Sequence, residues 1–222
     1  MIDLDHALVF DIETHRGLEW EERSPAIQKA FINHYYDPQS YDTPKDHYNE
    51  IAGLYAEFSQ VICVSLGYWS STNNKFIKTS ILGPDEDKVL NDLSKTLKIF
   101  QDNGYFLVGF NNDTCDTPYL VKRYIIKGIK VPSILNTYGV KPWDLDSVDV
   151  MKLWQMGDYK RTSLEMVSAC MDINCKEGDL GGGNLYLWDL KSMPWDKLKF
   201  YCEEDVESTF LVLKRILTYY DT

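Results

Sequence analysis

Residues 7–14 read Ala7-Leu8-Val9-Phe10-Asp11-Ile12-Glu13-Thr14. An apolar run leads into two acids one residue apart, the pattern of a buried strand whose far end carries charge. Side chains of a strand alternate between its faces, so Asp11 and Glu13 point the same way. Two carboxylates held about 4 Å apart repel by roughly 4 kcal/mol at an effective dielectric near 20. A divalent cation between them removes that repulsion. The pair therefore marks a metal site that needs partners from elsewhere in the chain.

The 222 residues are enough for one large domain, and 44% hydrophobic with 14% aromatic residues can build a substantial core. The five cysteines, Cys63, Cys115, Cys170, Cys175 and Cys202, are scattered and lack a Cys-x-x-Cys pair. They read neither as a zinc site nor as a disulfide framework, and a reducing cytoplasm is the expected compartment. No signal peptide is visible, and the apolar runs fall well short of the ~20 residues that span a membrane. A soluble protein with no membrane partner is expected. The net charge of −11 excludes coating of nucleic acid by bulk electrostatics. It leaves room for a grip on a few nucleotides through metals and local cations. Basic residues gather at Lys122, Arg123, Lys127 and Lys130, and at Lys160 and Arg161. A solvated helix face and a loop explain these clusters as well as substrate contact does.

After the first strand, residues 15–57 are rich in Asp, Glu, Tyr, His and Pro. A helix is expected around Pro25–Tyr35, in an ordered insertion or lid. Strands follow at 61–69 and 75–82, joined by the turn-forming Ser70-Ser71-Thr72-Asn73-Asn74. Pro84 and the acids Asp85, Glu86 and Asp87 open a helix with the apolar stripe Val89, Leu90, Leu93, Leu97 and Phe100, closed near Gly104. Tyr105–Phe110 is a fourth strand. Asp116–Ile129 is a helix with Pro118 in its first turn. A short extended segment at 144–150 leads into a helix near 150–156, and Thr162-Ser163-Leu164-Glu165 is a capping box for the next. Gly178–Asn184 is a glycine-rich loop. A long helix runs from about Pro194 to Tyr219, with Leu198, Cys202, Val206, Thr209, Leu213 and Ile216 on one side. Three neighbouring strands form an antiparallel meander, and the later alternation with helices adds parallel strands. The class is α/β: a mixed sheet flanked by helices.

Two further segments carry acids suited to join Asp11 and Glu13. Between the fourth strand and its helix stand Asn111, Asp113 and Asp116, where helix capping competes with a role in a site. On the last helix Tyr201 and Asp205 stand four residues apart and share a face. Asp205 borders the apolar stripe, where an acid is rare unless paired or metal-bound. Glu203 and Glu204 read as solvated.

Together the three segments resemble the three motifs of the DEDD superfamily of 3′→5′ exonucleases. The first is Phe10-Asp11-Ile12-Glu13-Thr14. The second is Asn111 followed by Asp116, Pro118, Tyr119 and Leu120. The third is Tyr201-Cys202-Glu203-Glu204-Asp205-Val206. The resemblance is strongest to the proofreading exonuclease domain of family B DNA polymerases and to free-standing proteins built from it. Phe58–Gly67 resembles that family's second strand and Ser163–Gly182 its Ser-Leu helix and Lys-and-Gly loop; 15–57 is poorly covered. The family register selects Asp116 over Asp113. Tyr201, four before Asp205, places the chain in the tyrosine branch.

The resemblance implies a ribonuclease H-like fold, with one exonuclease domain over 1–222 and the insertion at 15–57. It implies a metal-dependent 3′→5′ exonuclease on single-stranded DNA that releases nucleoside 5′-monophosphates. The implied cofactors are two Mg²⁺ or Mn²⁺ ions. Asp11, Glu13 and Asp205 are expected to hold the ion that activates water, with Asp11 and Asp116 sharing the second. Tyr201 is expected to orient the attacking water, since a phenol with a pKa near 10 is a poor base at neutral pH. Thr14 and Asn111 are implied contacts to the terminal nucleotide, though Thr14 also reads as a turn cap at the strand end. Lys176 and the loop glycines are candidates to approach a phosphate, and Tyr186, Trp188 and Trp195 to stack on bases, with burial in the core the bland alternative. An RNA substrate, an endonuclease and a catalytically silent nucleic-acid-binding module are the competing readings. With no polymerase region after Thr222, proofreading is expected to require a separate polymerase or replication partner.

Overall fold

The computed structural model describes residues 2–140, 147–173, 185 and 188–220. Strands β1 (Ala7–His15), β2 (Gln60–Ser70) and β3 (Lys75–Leu82) form an antiparallel meander. Strands β4 (Phe106–Gly109) and β5 (Ser147–Asp149) add in parallel beyond β1. The order β3-β2-β1-β4-β5 puts β1 at the centre, and the fold is the ribonuclease H-like one. Seven α-helices lie among the described residues: α1 (Pro25–His34), α2 (Pro44–Ile51), α3 (Glu86–Asp102), α4 (Asp116–Ile126), α5 (Val150–Gln155), α6 (Leu164–Cys170) and α7 (Trp195–Thr218).

A central strand covered on both faces must be apolar throughout, which accounts for Ala7–Phe10. Leu8 and Phe10 share one cluster with Leu90, Leu93 and Leu97 of α3 and with Leu120 and Tyr124 of α4. Ala7 and Val9 turn the other way, into a cluster with Val150 of α5, Val167 of α6, and Val206, Phe210 and Leu213 of α7. The same alternation carries Asp11 and Glu13 toward α7. The α7 stripe expected from sequence is buried at every position. Gly67 lets that helix lie close on β2: a Cβ there would stand 2.4 Å from the Phe76 ring and 2.6 Å from Val206.

Three local expectations change. The α6 cap is Ser163 rather than Thr162: its hydroxyl accepts the Met166 N–H at 3.2 Å, so the helix starts one residue later. Arg123 is not part of a basic surface but pairs internally with Glu86, one of the acids that open α3. The two form a buried bidentate pair at 2.5 and 2.8 Å, while Arg123 Nη1 donates to the Ala56 carbonyl at 2.6 Å and Glu86 accepts the Val61 N–H at 2.8 Å. Glu203 and Glu204 are tied to β3, by Ser80 Oγ at 2.7 Å and Lys78 Nζ at 2.8 Å respectively. Because α7 crosses β2 and β3, those acids face strand side chains rather than water.

Within 15–57, α1 falls where a helix is expected, and α2 is additional. Ser24 and Thr43 cap the two helices, each followed by Pro at the first helical position. Phe31, Tyr48, Ala52 and Phe58 form a small core of their own, with Trp20 stacked edge-on to Phe31. Arg23 closes it, donating to Tyr48 Oη and to the Arg16 carbonyl, both at 2.5 Å, and to the Phe58 carbonyl.

Candidate active site

The β4–α4 connection places the second motif. β4 ends at Gly109, where a Cβ would stand 2.5 Å from that of Asn112, so only glycine lets the chain fold back. Asn111 then takes a left-handed backbone, φ 64°, a conformation Asn tolerates better than most residues. Its carbonyl accepts the Cys115 N–H at 3.0 Å. This tight loop starts α4 at Asp116, facing β1.

Asp149 organises the loop, and sequence reasoning did not single it out. Buried at the end of β5, it accepts the N–H of Asn111 at 2.9 Å, of Met151 at 3.0 Å, and of Asp113 and Lys152 at 3.4 Å each. One carboxylate thus caps α5 and pins the loop that aims Asp116. Its position before the apolar 150–154 run is the only sequence signal, and that signal indicates a cap.

Asp11, Glu13, Asp116 and Asp205 converge from three elements. Asp11 is held well above the usual carboxylate range, first by burial and then by the charges of Asp116, Asp205 and Glu13. Asp116 is raised to about 7, again by burial first, with Asp149 and Asp205 adding to it. The N–H groups of Asp116 itself and of Ile12 pull it partway back, which places its carboxylate against β1 beside Asp11. The Cys202 thiol lies behind the pair, 3.3 Å from Asp11 Oδ2 and 3.5 Å from the Asp11 carbonyl. Ligand atoms of Asp11, Glu13 and Cys202 all fall within 4.8 Å of one another. Tyr201 and Asp205 lie half-buried on the same side of α7.

A cleft of ≈ 300 Å³ opens beside these acids, lined among others by Ile12, Thr14, Tyr55, Cys115, Asp116 and Lys122. Thr14 Oγ1 donates to the Gly53 carbonyl at 2.7 Å, and Tyr119 Oη donates to the same carbonyl at 3.0 Å. Thr14 is therefore both a cleft wall and the strand-end tie. Asn111 spends its amide within its own loop, accepting from Thr114 Oγ1 at 2.5 Å and donating to Cys115 Sγ at 2.9 Å. Asp113 stands apart from the acids, paired with Lys152 at 2.7 Å. Arg161 lies close enough to Cys115 to act on its thiol.

Trp195 packs against the cluster of Ile62, Leu185, Met193 and Leu198, so it belongs to the core. Trp188 is exposed, and its carbonyl accepts from His15 Nε2 at 2.8 Å, tying that loop to the end of β1. Lys176, Tyr186 and the Gly178–Asn184 loop lie outside the described residues. No described helix is long and apolar enough to cross a membrane.

The donor set suits a hard divalent cation. Asp11 and Asp116, which burial and the neighbouring acids hold against ionising, lose that resistance when a cation binds beside them. Nucleases of ribonuclease H-like fold use divalent metals, and Asp11 and Glu13, with Cys202 beside them, form a group close enough to hold an ion; Asp116 and Asp205 lie near Asp11 but outside that tight group.

The comparisons with known proteins agree with the architecture. A family B DNA polymerase from the hyperthermophilic archaeon Pyrobaculum calidifontis matches with a TM-score of 0.58 and 18% identity, over 95% of this chain and 24% of the polymerase. That likeness is one of fold. No curated protein matches the chain. The family model of the RNase H superfamily matches residues 49–217, three quarters of the sequence, beginning beyond Asp11 and Glu13. The chain therefore belongs to the RNase H superfamily, whose fold is that of nucleases.

Proposed function

We propose that the chain is a metal-dependent 3′→5′ exonuclease that hydrolyses single-stranded DNA to nucleoside 5′-monophosphates. The convergence of Asp11, Glu13, Asp116 and Asp205, with Tyr201 one turn before Asp205, carries this reading. It supports the motif resemblance in the tyrosine branch of the DEDD exonucleases. Asp11, Glu13 and Asp205 would hold one Mg²⁺ or Mn²⁺ ion, and Asp11 and Asp116 a second. When bound, such a pair supplies an activated water and neutralises charge on the phosphate and the leaving oxygen. Asp11 lies near the acids of both α4 and α7, which supports its sharing in the hold on both ions. Tyr201 orients the attacking water by hydrogen bonding. The cleft lined by Thr14, Tyr55, Cys115 and Asp116 receives the terminal nucleotide, and Lys122 in its lining, with Arg161 near Cys115, contacts phosphates. Asn111 shapes the second-motif loop beside this cleft, and the motif resemblance supports Lys176 as a phosphate contact. One domain over 1–222 carries the activity, and 15–57 acts as its lid or docking surface.

A 3′-labelled single-stranded oligomer, tested as DNA and as RNA with Mg²⁺ or Mn²⁺, checks this reading. Mononucleotide release from DNA is expected, at least ~10³-fold slower in Asp11→Ala and Asp205→Ala, both remaining folded. Undiminished activity in either variant defeats the reading. Faster turnover of RNA reassigns the substrate, and cleavage of a circular strand makes the enzyme an endonuclease.

A further inference from the structure

We infer that Cys202 turns this site into a selective trap for thiophilic divalent ions, so that Zn²⁺ or Cd²⁺ binds through Asp11, Glu13 and the Cys202 sulfur and shuts out the hard ions of catalysis. The inference rests on the metal-site reading above and concerns the regulation of that site.

The Cys202 side chain is fully buried between α7 and β1, and it is directed at the acids rather than at the apolar core alone. Its Sγ stands 3.3 Å from Asp11 Oδ2. Sulfur and carboxylate ligands of a tetrahedral zinc ion, at bond lengths near 2.3 and 2.1 Å, lie about 3.6 Å apart. The Cys202 and Asp11 atoms are thus within a few tenths of an ångström of that spacing, and with Glu13 the three ligand atoms lie within 4.8 Å of one another, so side-chain movement of about 1 Å at most brings them onto one ion. Metal choice then follows from donor softness. Mg²⁺ takes oxygen ligands and leaves the S–H as a hydrogen-bond donor to Asp11. Zn²⁺ and Cd²⁺ favour sulfur. On their binding the S–H proton leaves to solvent, a sulfur–metal bond forms, and no redox change occurs. The ion then takes up the carboxylates that the catalytic pair requires.

Cys63 is the comparison thiol. It is also fully buried, pairs with Glu13 across the β1–β2 ladder and hydrogen-bonds to Cys202, yet it is not in the cluster of mutually close ligand atoms found among the described residues. Cys115 and Cys170 are exposed, and with Cys175 they would add background sulfur.

The experiment titrates Cd²⁺ alone into protein carrying Cys115→Ser, Cys170→Ser and Cys175→Ser, following the sulfur-to-cadmium charge-transfer band and the melting temperature. A one-equivalent band is expected, lost in Cys202→Ser and retained in Cys63→Ser, with Cd²⁺ affinity at least about tenfold weaker in Cys202→Ser. Mg²⁺ should raise the melting temperature without producing a band. Zn²⁺ inhibition of the Mg²⁺-supported nuclease should likewise need at least about tenfold more Zn²⁺ in Cys202→Ser. Should Cys202→Ser not fold, cadmium NMR of the protein retaining Cys202 must still show a sulfur-ligated ion. No band, or a band that survives in Cys202→Ser, overturns the inference while leaving the Mg²⁺ site intact. Loss of the Mg²⁺ response itself in the parent protein is the separate failure of the metal-site reading.

Discussion

Asp116 shows most directly what the site costs the fold. Its carboxyl is raised to about 7 against 3.8 for a free side chain, chiefly by burial. A folded-state pKa above the unfolded one means that the neutral acid is stabilising. That contribution is complete below about pH 4 and is lost as pH rises through about 7. A shift of about three units corresponds to roughly 4 kcal/mol. In metal-free protein, Asp116→Asn should therefore raise the melting temperature by roughly 8–16 °C at pH 8 and leave it nearly unchanged at pH 4, as calorimetry in EDTA will measure. The same substitution removes a metal ligand and should cost most of the nuclease rate. Equal melting temperatures at pH 8 would mean that the neighbouring acids relax the site without help from protonation. The identity of this residue was legible from its register with Pro118, Tyr119 and Leu120. Its raised pKa was not, because it arises from Asp149, Asp205 and the burial that β1 imposes.

At the scale of elements, the connection from β4 to α4 depends on β5. Asp149 donates nothing to the acid cluster as a ligand, but it accepts the N–H of Asn111 and of Asp113 and caps α5. Losing a cap costs about 1 kcal/mol, and here the loop that starts α4 loses its anchor as well. Asp149→Ala should lower kcat by about tenfold or more with a smaller change in KM and destabilise the protein by about 1–2 kcal/mol. Asp149→Asn retains one acceptor oxygen and should recover part of both losses. Single-turnover kinetics beside urea unfolding will separate them. A fall in stability without any fall in kcat would limit Asp149 to capping. Sequence could not elevate this residue, since an Asp before a helix is common. Its second duty requires β5 to lie beside β4, a pairing between residues some forty positions apart.

At the scale of the molecule, Arg123 ties three parts together: α4 by its own position, α3 through Glu86, and the satellite core of residues 15–57 through Ala56. Removing one partner of a buried ion pair leaves the other uncompensated and costs about 3–5 kcal/mol. Arg123→Ala should accordingly lower the melting temperature by roughly 6–20 °C and increase proteolysis in 15–57 before the rest of the chain. Added oligonucleotide should slow that proteolysis if the segment covers the substrate. An unchanged cleavage pattern would show the satellite to be held by its aromatic core alone.

The sequence by itself determined the strand that carries Asp11 and Glu13, the face they share, the buried stripe of α7 and the three segments that had to meet. These features follow from periods of two and of 3.6 residues, which are local and written directly in the order of apolar and polar side chains. Only the tertiary structure decided that Arg123 is internal, that Glu203 and Glu204 are tied to β3, that Asp149 aims the second motif, and that Cys202 faces Asp11. Each depends on which elements become neighbours. A charged or sulfur side chain takes its energy from the dielectric and the partners around it, and those belong to the packed molecule.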